Sequence, residues 1–192
     1  MFDTATGLLK KKSEIGKRPS FKLEIFKVDG SYWKFFKQHY YLDLPMPIAA
    51  EYFIGVVDGE LVCHIAVSPA FHTGYYRATR LVVMPEWQGA GVGTKFLEWV
   101  GEYHKKGNGR TGKKLPLLFH TSHPQLIGYL KSSKKWVLKS QQMYGVNKAK
   151  SAASIKRANT TKANIAGSGS GIGYGGHFRA VQGFKYIGNK ED

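Results

Sequence analysis

The sequence predicts an α/β domain of the α+β kind, with strands and helices interspersed and part of the sheet antiparallel. Three observations carry this. Two apolar, β-branched runs at 51–58 and 60–68 meet at Asp58-Gly59, a dipeptide whose residues both tolerate positive φ and so close a tight hairpin. A third apolar run, 75–84, ends in Leu81-Val82-Val83-Met84 and passes through glycines 89, 91 and 93 into a stretch with helical spacing. The 192 residues, 42% hydrophobic and 14% aromatic, suit one packed core and exclude disorder throughout.

Residues 1–20 have no sustained period and include Lys10-Lys11-Lys12, which predicts a flexible basic leader before a single domain over 21–192. From Phe21 to Val28 apolar and polar residues alternate, a first strand closed by Asp29-Gly30. Ser31 stands at a helix-cap position, and Trp33, Phe36 and Tyr40 share one face of a helix of about ten residues. The hairpin follows, then the strand 75–84, whose continuous apolar end marks a buried central position. Val92, Phe96, Trp99 or Val100, and Tyr103 recur at helical spacing up to Gly107. Residues 115–119 read as a short strand, 123–131 as a short helix, and Trp136–Leu138 as the start of another strand. Periodicity is then lost over 140–176, a stretch of Lys, Ser, Ala, Asn and Gly that reads as a mobile basic Gly/Ser-rich insertion. It lies inside the domain because 178–187 reads as one more strand that must return to the sheet.

No run reaches the roughly 18 apolar residues of a membrane span, and no exported leader is evident. Cys63 is the single cysteine, so neither an internal disulfide nor a zinc cage is expected, and the cytoplasm is the expected location. The net charge is +16 and unevenly spread: between Glu102 and Glu191 there is no carboxylate side chain but there are 17 Lys and Arg. That interval favours an anionic partner such as nucleic acid, a phosphorylated cofactor or an acidic protein.

The stretch most informative about chemistry is 81–94. A strand running through glycines into a helix start presents free backbone N–H groups and the positive end of the helix dipole, which suits a pyrophosphate. Glycines at 89, 91 and 93 do not spell the dinucleotide fingerprint, and the preceding strands form a hairpin rather than a βαβ unit. Residues 107–113 nearly spell a nucleoside triphosphate loop, but Lys114 replaces the required Ser or Thr and a helix precedes it. Val83, Pro85, Gln88, Gly91 and Gly93 do match a third pattern, Val-x-Pro-x-x-(Gln/Arg)-x-x-Gly-x-(Gly/Ala). This segment resembles the acetyl-CoA-binding motif of the GNAT acyltransferase superfamily, and the order of elements over about 21–187 resembles that fold, a mixed, mostly antiparallel sheet flanked by helices.

The resemblance implies an acetyl-CoA-dependent N-acetyltransferase acting directly on an amine acceptor. It implies that backbone groups of Leu81, Val82 and Val83 pair with the pantetheine arm. It also implies that the N–H groups of Gln88, Gly89, Ala90, Gly91, Val92, Gly93 and Thr94 cradle the pyrophosphate. Direct transfer requires a base and an acid. Relatives place a glutamate on the strand matching 75–84, which here has no carboxylate. His120 and His123, near the implied splay of strands, are the candidate bases, each with an alternative as a cap or core histidine. Tyr129 is the candidate acid on the short helix; starting the family's Asn-x-x-Ala pattern at Ser122 puts Tyr129 at the acid position, and starting it at His123 puts Leu130 there. His39 and Tyr40, in Gln38–Leu42, lie where the superfamily shapes its acceptor site, with aromatic packing as the alternative. The stretch from Phe21 to Leu42, with Thr121–Pro124, is also similar to the acetyltransferase-like half of bacterial ABC-ATPase fusion proteins. Some relatives act on aminoacyl-tRNA or DNA bases, so nucleic acid is the second candidate partner, with Lys148, Lys150, Lys156, Arg157 and Lys162 in the insertion.

Overall fold

The computed structural model describes residues 2–3, 8–9, 20–40, 46–47, 49–70, 74–143 and 180–189. Strands β1 (Phe2–Asp3) and β2 (Leu8–Leu9) pair antiparallel, so the expected leader contains a short ladder. Strand β3 (Glu24–Val28) starts later than the alternation predicts, because Phe21 turns to the Trp87 ring, edge to face at 5.5 Å, instead of entering the ladder. The helical cap is Asp29 and not Ser31: Asp29 Oδ1 accepts the Ser31 N–H at 2.7 Å, which starts the turn two residues early. The helix expected there is divided into a 3-10 turn (Gly30–Tyr32), a short α1 (Trp33–Phe36) and a second 3-10 turn (Lys37–His39).

Asp58 and Gly59, with φ of +49° and +84°, reverse the chain between β4 (Glu51–Val57) and β5 (Glu60–Ala70), the hairpin geometry the dipeptide predicts. Strand β6 (Tyr75–Val83) leads through a 3-10 turn (Pro85–Trp87) into α2 (Val92–Lys105). Strand β7 (Leu117–Thr121), α3 (Pro124–Ser132), β8 (Trp136–Gln142) and β9 (Val181–Tyr186) complete the chain. The insertion expected from 140 begins later, since Ser140–Gln142 still pair with β9; residues 144–179, with the insertion's cations, lie outside the described residues.

The seven strands run in the order β3-β4-β5-β6-β7-β9-β8, and of the six pairings only β6–β7 is parallel. Strand β9 therefore inserts between β7 and β8. This is the mixed, mostly antiparallel sheet with flanking helices that the sequence predicts. Alternation divides its faces. Phe53, Ile65, Tyr76, Leu117 and Phe184 pack against Phe96, Leu97 and Val100 of α2, while Trp33 and Phe36 of α1 cover Ile54 and Val82 on the other face.

One buried carboxylate ties the α2 end of the domain to the hairpin. Glu51, 4% exposed, accepts Lys27 Nζ at 2.5 Å, His104 Nε2 at 3.3 Å and the Arg110 N–H at 2.8 Å. Burial alone would raise its pKa, but these donors outweigh burial and hold the carboxyl at about 2, against an ordinary 4.5. The stabilisation is fully present above the ordinary carboxylate range and is lost as pH falls from about 4.5 towards about 2. Glu51→Gln is expected to cost about 3 kcal/mol at neutral pH and to flatten that acid slope in denaturant titrations; equal slopes for both proteins would remove Glu51 from this role.

Candidate acyl-transfer site

The site begins with a fault in the β5–β6 ladder. Pairing jumps from His64↔Val82 to Ala66↔Thr79, so Arg80 and Leu81 together face Ile65, a bulge. Arg80 takes φ +56°, unusual for a residue with a side chain. His64 holds this bulge: its Nδ1–H donates to Arg80 O at 3.2 Å, and the fully buried ring packs among Trp33, Phe36 and Tyr52. Burial pulls its pKa down to about 4, so the ring is neutral, with Nε2 unpartnered.

The bulge coincides with the parting of β6 and β7. Their parallel register covers only Tyr76↔Leu117, Arg77↔Leu118 and Ala78↔Phe119. Beyond it, Thr79–Val83 of β6 have no β7 partner, while β7 continues with His120 and Thr121, paired to β9.

At the far end of β6 lies the glycine turn. Gly91, φ +86°, is the left-handed cap of α2, and its carbonyl accepts the Thr94 hydroxyl at 2.8 Å. A Cβ at Gly91 would meet only Thr94 Oγ1, at 4.0 Å, so the space before the helix is open. Gly93 differs: a Cβ there would stand 2.8 Å from Val83 Cγ2, so this glycine brings α2 close to β6. The first-turn N–H groups of α2 have no intrahelical partners, whereas the Gln88 N–H already donates to Pro85 O at 3.2 Å. The Gln88 side chain donates to Val83 O at 3.0 Å, stitching the turn to the strand that precedes it.

The two histidines separate. His123 is exposed and caps α3, its Nδ1 accepting the Leu126 N–H at 3.4 Å. His120 is half-buried at the parting, and its ring lies against Gly183 of β9, where a Cβ would come within 2.8 Å of Nε2. Burial, then the charge of Arg77, lowers its pKa, and Nδ1 is buried without a partner. Tyr129, half-buried on α3, donates its hydroxyl to Glu98 of α2, whose other oxygen takes Lys135 Nζ at 2.9 Å. Burial and the Glu98 bond push the phenol up to about 12, and the Thr94 hydroxyl also contacts it. His39 is exposed, beside Gln38. Tyr40 packs edge to face on Trp33 at 5.5 Å, and the Arg80 guanidinium lies 5.5 Å from its ring centre. The structure thus brings Tyr40 to the bulge and His120 to the parting, and sets His39 and His123 apart on the surface.

Residues 49–133 match the profile described as Acetyltransferase (GNAT) domain. Solved structures agree in fold. A ribosomal-protein-S18-alanine N-acetyltransferase from Escherichia coli superposes with TM-score 0.54 at 12% identity, covering 89% of this chain and 97% of that one. A GNAT family acetyltransferase from Elizabethkingia anophelis with acetyl-CoA bound gives 0.51 at 12% identity, covering 86% and 97%. A variant of the spermidine N-acetyltransferase of Vibrio cholerae gives 0.57 at 9% identity, covering 86% and 93%. The chain has the GNAT acetyltransferase fold. Acetyl-CoA is the cosubstrate of this family. No curated protein matches the sequence. Among the described residues no helix is long and apolar enough to cross a membrane.

Sequence reasoning passed over two residues of this candidate site. His64 left a signal, a lone histidine inside the apolar run Leu61–Val67, and so did Glu98, a carboxylate one turn from the apolar stripe of its helix. Gly93→Ala is expected to lower stability by about 1–3 kcal/mol by pushing α2 off β6, with part regained on adding Val83→Ala. Thermal melts that show the single substitution to be neutral would mean the helix can slide without cost.

Proposed function

We propose that this chain transfers an acetyl group from acetyl-CoA directly to an amine. The observation that carries the reading is the parting of β6 and β7, with an open helix start behind the Val83 end of β6 and His120 on β7 just past the point where the pairing stops. The unpaired edge of Leu81–Val83 is available to the pantetheine arm as an added strand, and the backbone of Gly89, Ala90, Gly91, Val92, Gly93 and Thr94 to the pyrophosphate. Gln88 serves chiefly through its side chain on Val83 O. The thioester carbonyl then lies in the opening, where the amine nitrogen attacks it; the C–N bond forms as the C–S bond breaks. His120 takes the amine proton, and Tyr129 supplies one to the thiolate and is reprotonated from solvent. Tyr40 shapes the acceptor side, His39 stands outside it on the surface, and His123 acts by capping α3.

A calorimetric titration tests the cofactor half: micromolar binding of acetyl-CoA, none of ATP, and loss of binding in Gly91→Glu, whose side chain and charge would occupy the phosphate site. Unchanged affinity in Gly91→Glu would sink it. For the chemistry, His120→Gln is expected to reduce kcat by about a hundredfold, and Tyr129→Phe to reduce kcat with little change in KM for acetyl-CoA. Because the base works unprotonated and its pKa is lowered, kcat/KM is expected to hold down to pH 6.5 and to fall only below it; a limb centred above 6.5 would point to another base.

The nucleic-acid reading draws on the 17 cations between Glu102 and Glu191. It requires binding that weakens steeply with salt, persists without acetyl-CoA and drops on deletion of 141–175.

A further inference from the structure

The registers place a row of side chains on the sheet face opposite α2, at the β6–β7 parting. Ser68 pairs with Arg77, Arg77 with Leu118, Leu118 with Lys185, and Lys185 with Val137. Residues paired across a ladder point to the same face, so this row lies beside the next one, in which His120 pairs with Gly183 and Gly183 with Ser140. Arg77 is exposed and Lys185 half-buried. Ser68 Oγ, at the end of the first row, and His120 Nδ1 are both buried without partners. None of the strands that carry this face at the parting, β6, β7, β9 and β8, contains a carboxylate. Across the sheet, Glu98 serves Tyr129 and Lys135 and Glu102 faces Tyr186 and Lys106, while Glu24, on this face but on the edge strand β3, pairs with Lys22.

We propose that the acceptor amine belongs to a molecule bearing an anionic group, a carboxylate or a phosphate, which Arg77 and Lys185 receive beside His120. This rests on the transfer reading given above. A polycationic amine would meet two like charges and, on the described strands at the parting, no compensating acid, and would have to bring its amine to His120 against them. An anionic group finds the forked guanidinium of Arg77 and the ammonium of Lys185 one strand apart on either side of Leu118. Bound there, it holds its own amine one row away, within the row of His120.

The test uses the full chain with histidine ring signals followed by NMR, the His120 signal assigned from His120→Gln. O-phosphoethanolamine and L-glutamate are titrated against ethanolamine and spermidine, with acetyl-CoA titrated in parallel. The expected result is a saturable shift of the His120 signal with one or both anionic amines, at least about tenfold tighter than with ethanolamine and absent with spermidine. Arg77→Glu should abolish it; Arg77 is exposed, and an unchanged melting temperature checks that the fold is kept. Comparable or stronger binding of ethanolamine or spermidine, no binding of either anionic amine, or an anion effect indifferent to Arg77→Glu, overturns the proposal. Acetyl-CoA binding with no anion preference overturns it alone, whereas anion binding at His120 without acetyl-CoA binding upholds the site and overturns the transfer reading.

Discussion

Strand β6 has two neighbours whose demands conflict. It must run antiparallel to β5 along its whole length and parallel to β7 for long enough to close the sheet. Twist makes a strand at the centre of seven diverge from a parallel partner unless side chains hold the two together, and here only three residue pairs do. The bulge at Arg80 takes up the mismatch by inserting one residue on the β6 side, and its left-handed backbone needs support from outside the ladder. His64 gives that support through a single hydrogen bond to the Arg80 carbonyl from within an aromatic box. The opening, the lack of a β7 partner for Thr79–Val83 and the position of His120 accompany this fault.

The fault would be costly without a rigid surround. On the α2 side Gly93 lets the helix approach Val83, and Gly101 lets it approach the Tyr186 ring, where a Cβ would stand 2.6 Å away. On the other side Trp33 and Phe36 close over His64 and Val82. At the opposite end of the sheet Glu51 gathers Lys27, His104 and the Arg110 backbone, binding β3, β4, α2 and the 109–111 turn into one unit. Tight helix approaches and a charged clamp thus brace the elements packed around β6.

What was legible in the sequence is what local chemistry decides. Asp58-Gly59 specifies its turn because two adjacent residues must take positive φ, and 81–94 is readable because a glycine cap and a free helix start are properties of a few consecutive residues. The cap at Asp29 was misplaced for the same kind of reason: Asp29 and Ser31 can both cap, and which does depends on where the 3-10 turn begins. Position in the sheet is another matter. Strand β9 displaces β8 from β7 through pairings that join residues some 60 apart, and nothing in 178–187 encodes its neighbour. The bulge is equally silent, since Arg77-Ala78-Thr79-Arg80 reads as an ordinary strand until the register with β5 is known. Tyr129 illustrates the limit within a helix: the sequence leaves one residue of slippage, and only the packing shows Tyr129 turned to Glu98 and Leu130 to the core.

The two faces of the sheet also differ in what they do to a proton. On the α2 face, burial and the Glu98 carboxylate raise the Tyr129 phenol to about 12, so it keeps its proton throughout the physiological range. On the opposite face, burial and the Arg77 charge lower the pKa of His120, which favours its neutral form. In the transfer proposed here, a phenol kept protonated suits delivery of a proton to sulfur and a neutral imidazole suits removal of one from nitrogen. Two groups side by side would form their own hydrogen bond. Here the sheet separates them, and the parting of β6 and β7 joins the two faces where the ladder does not.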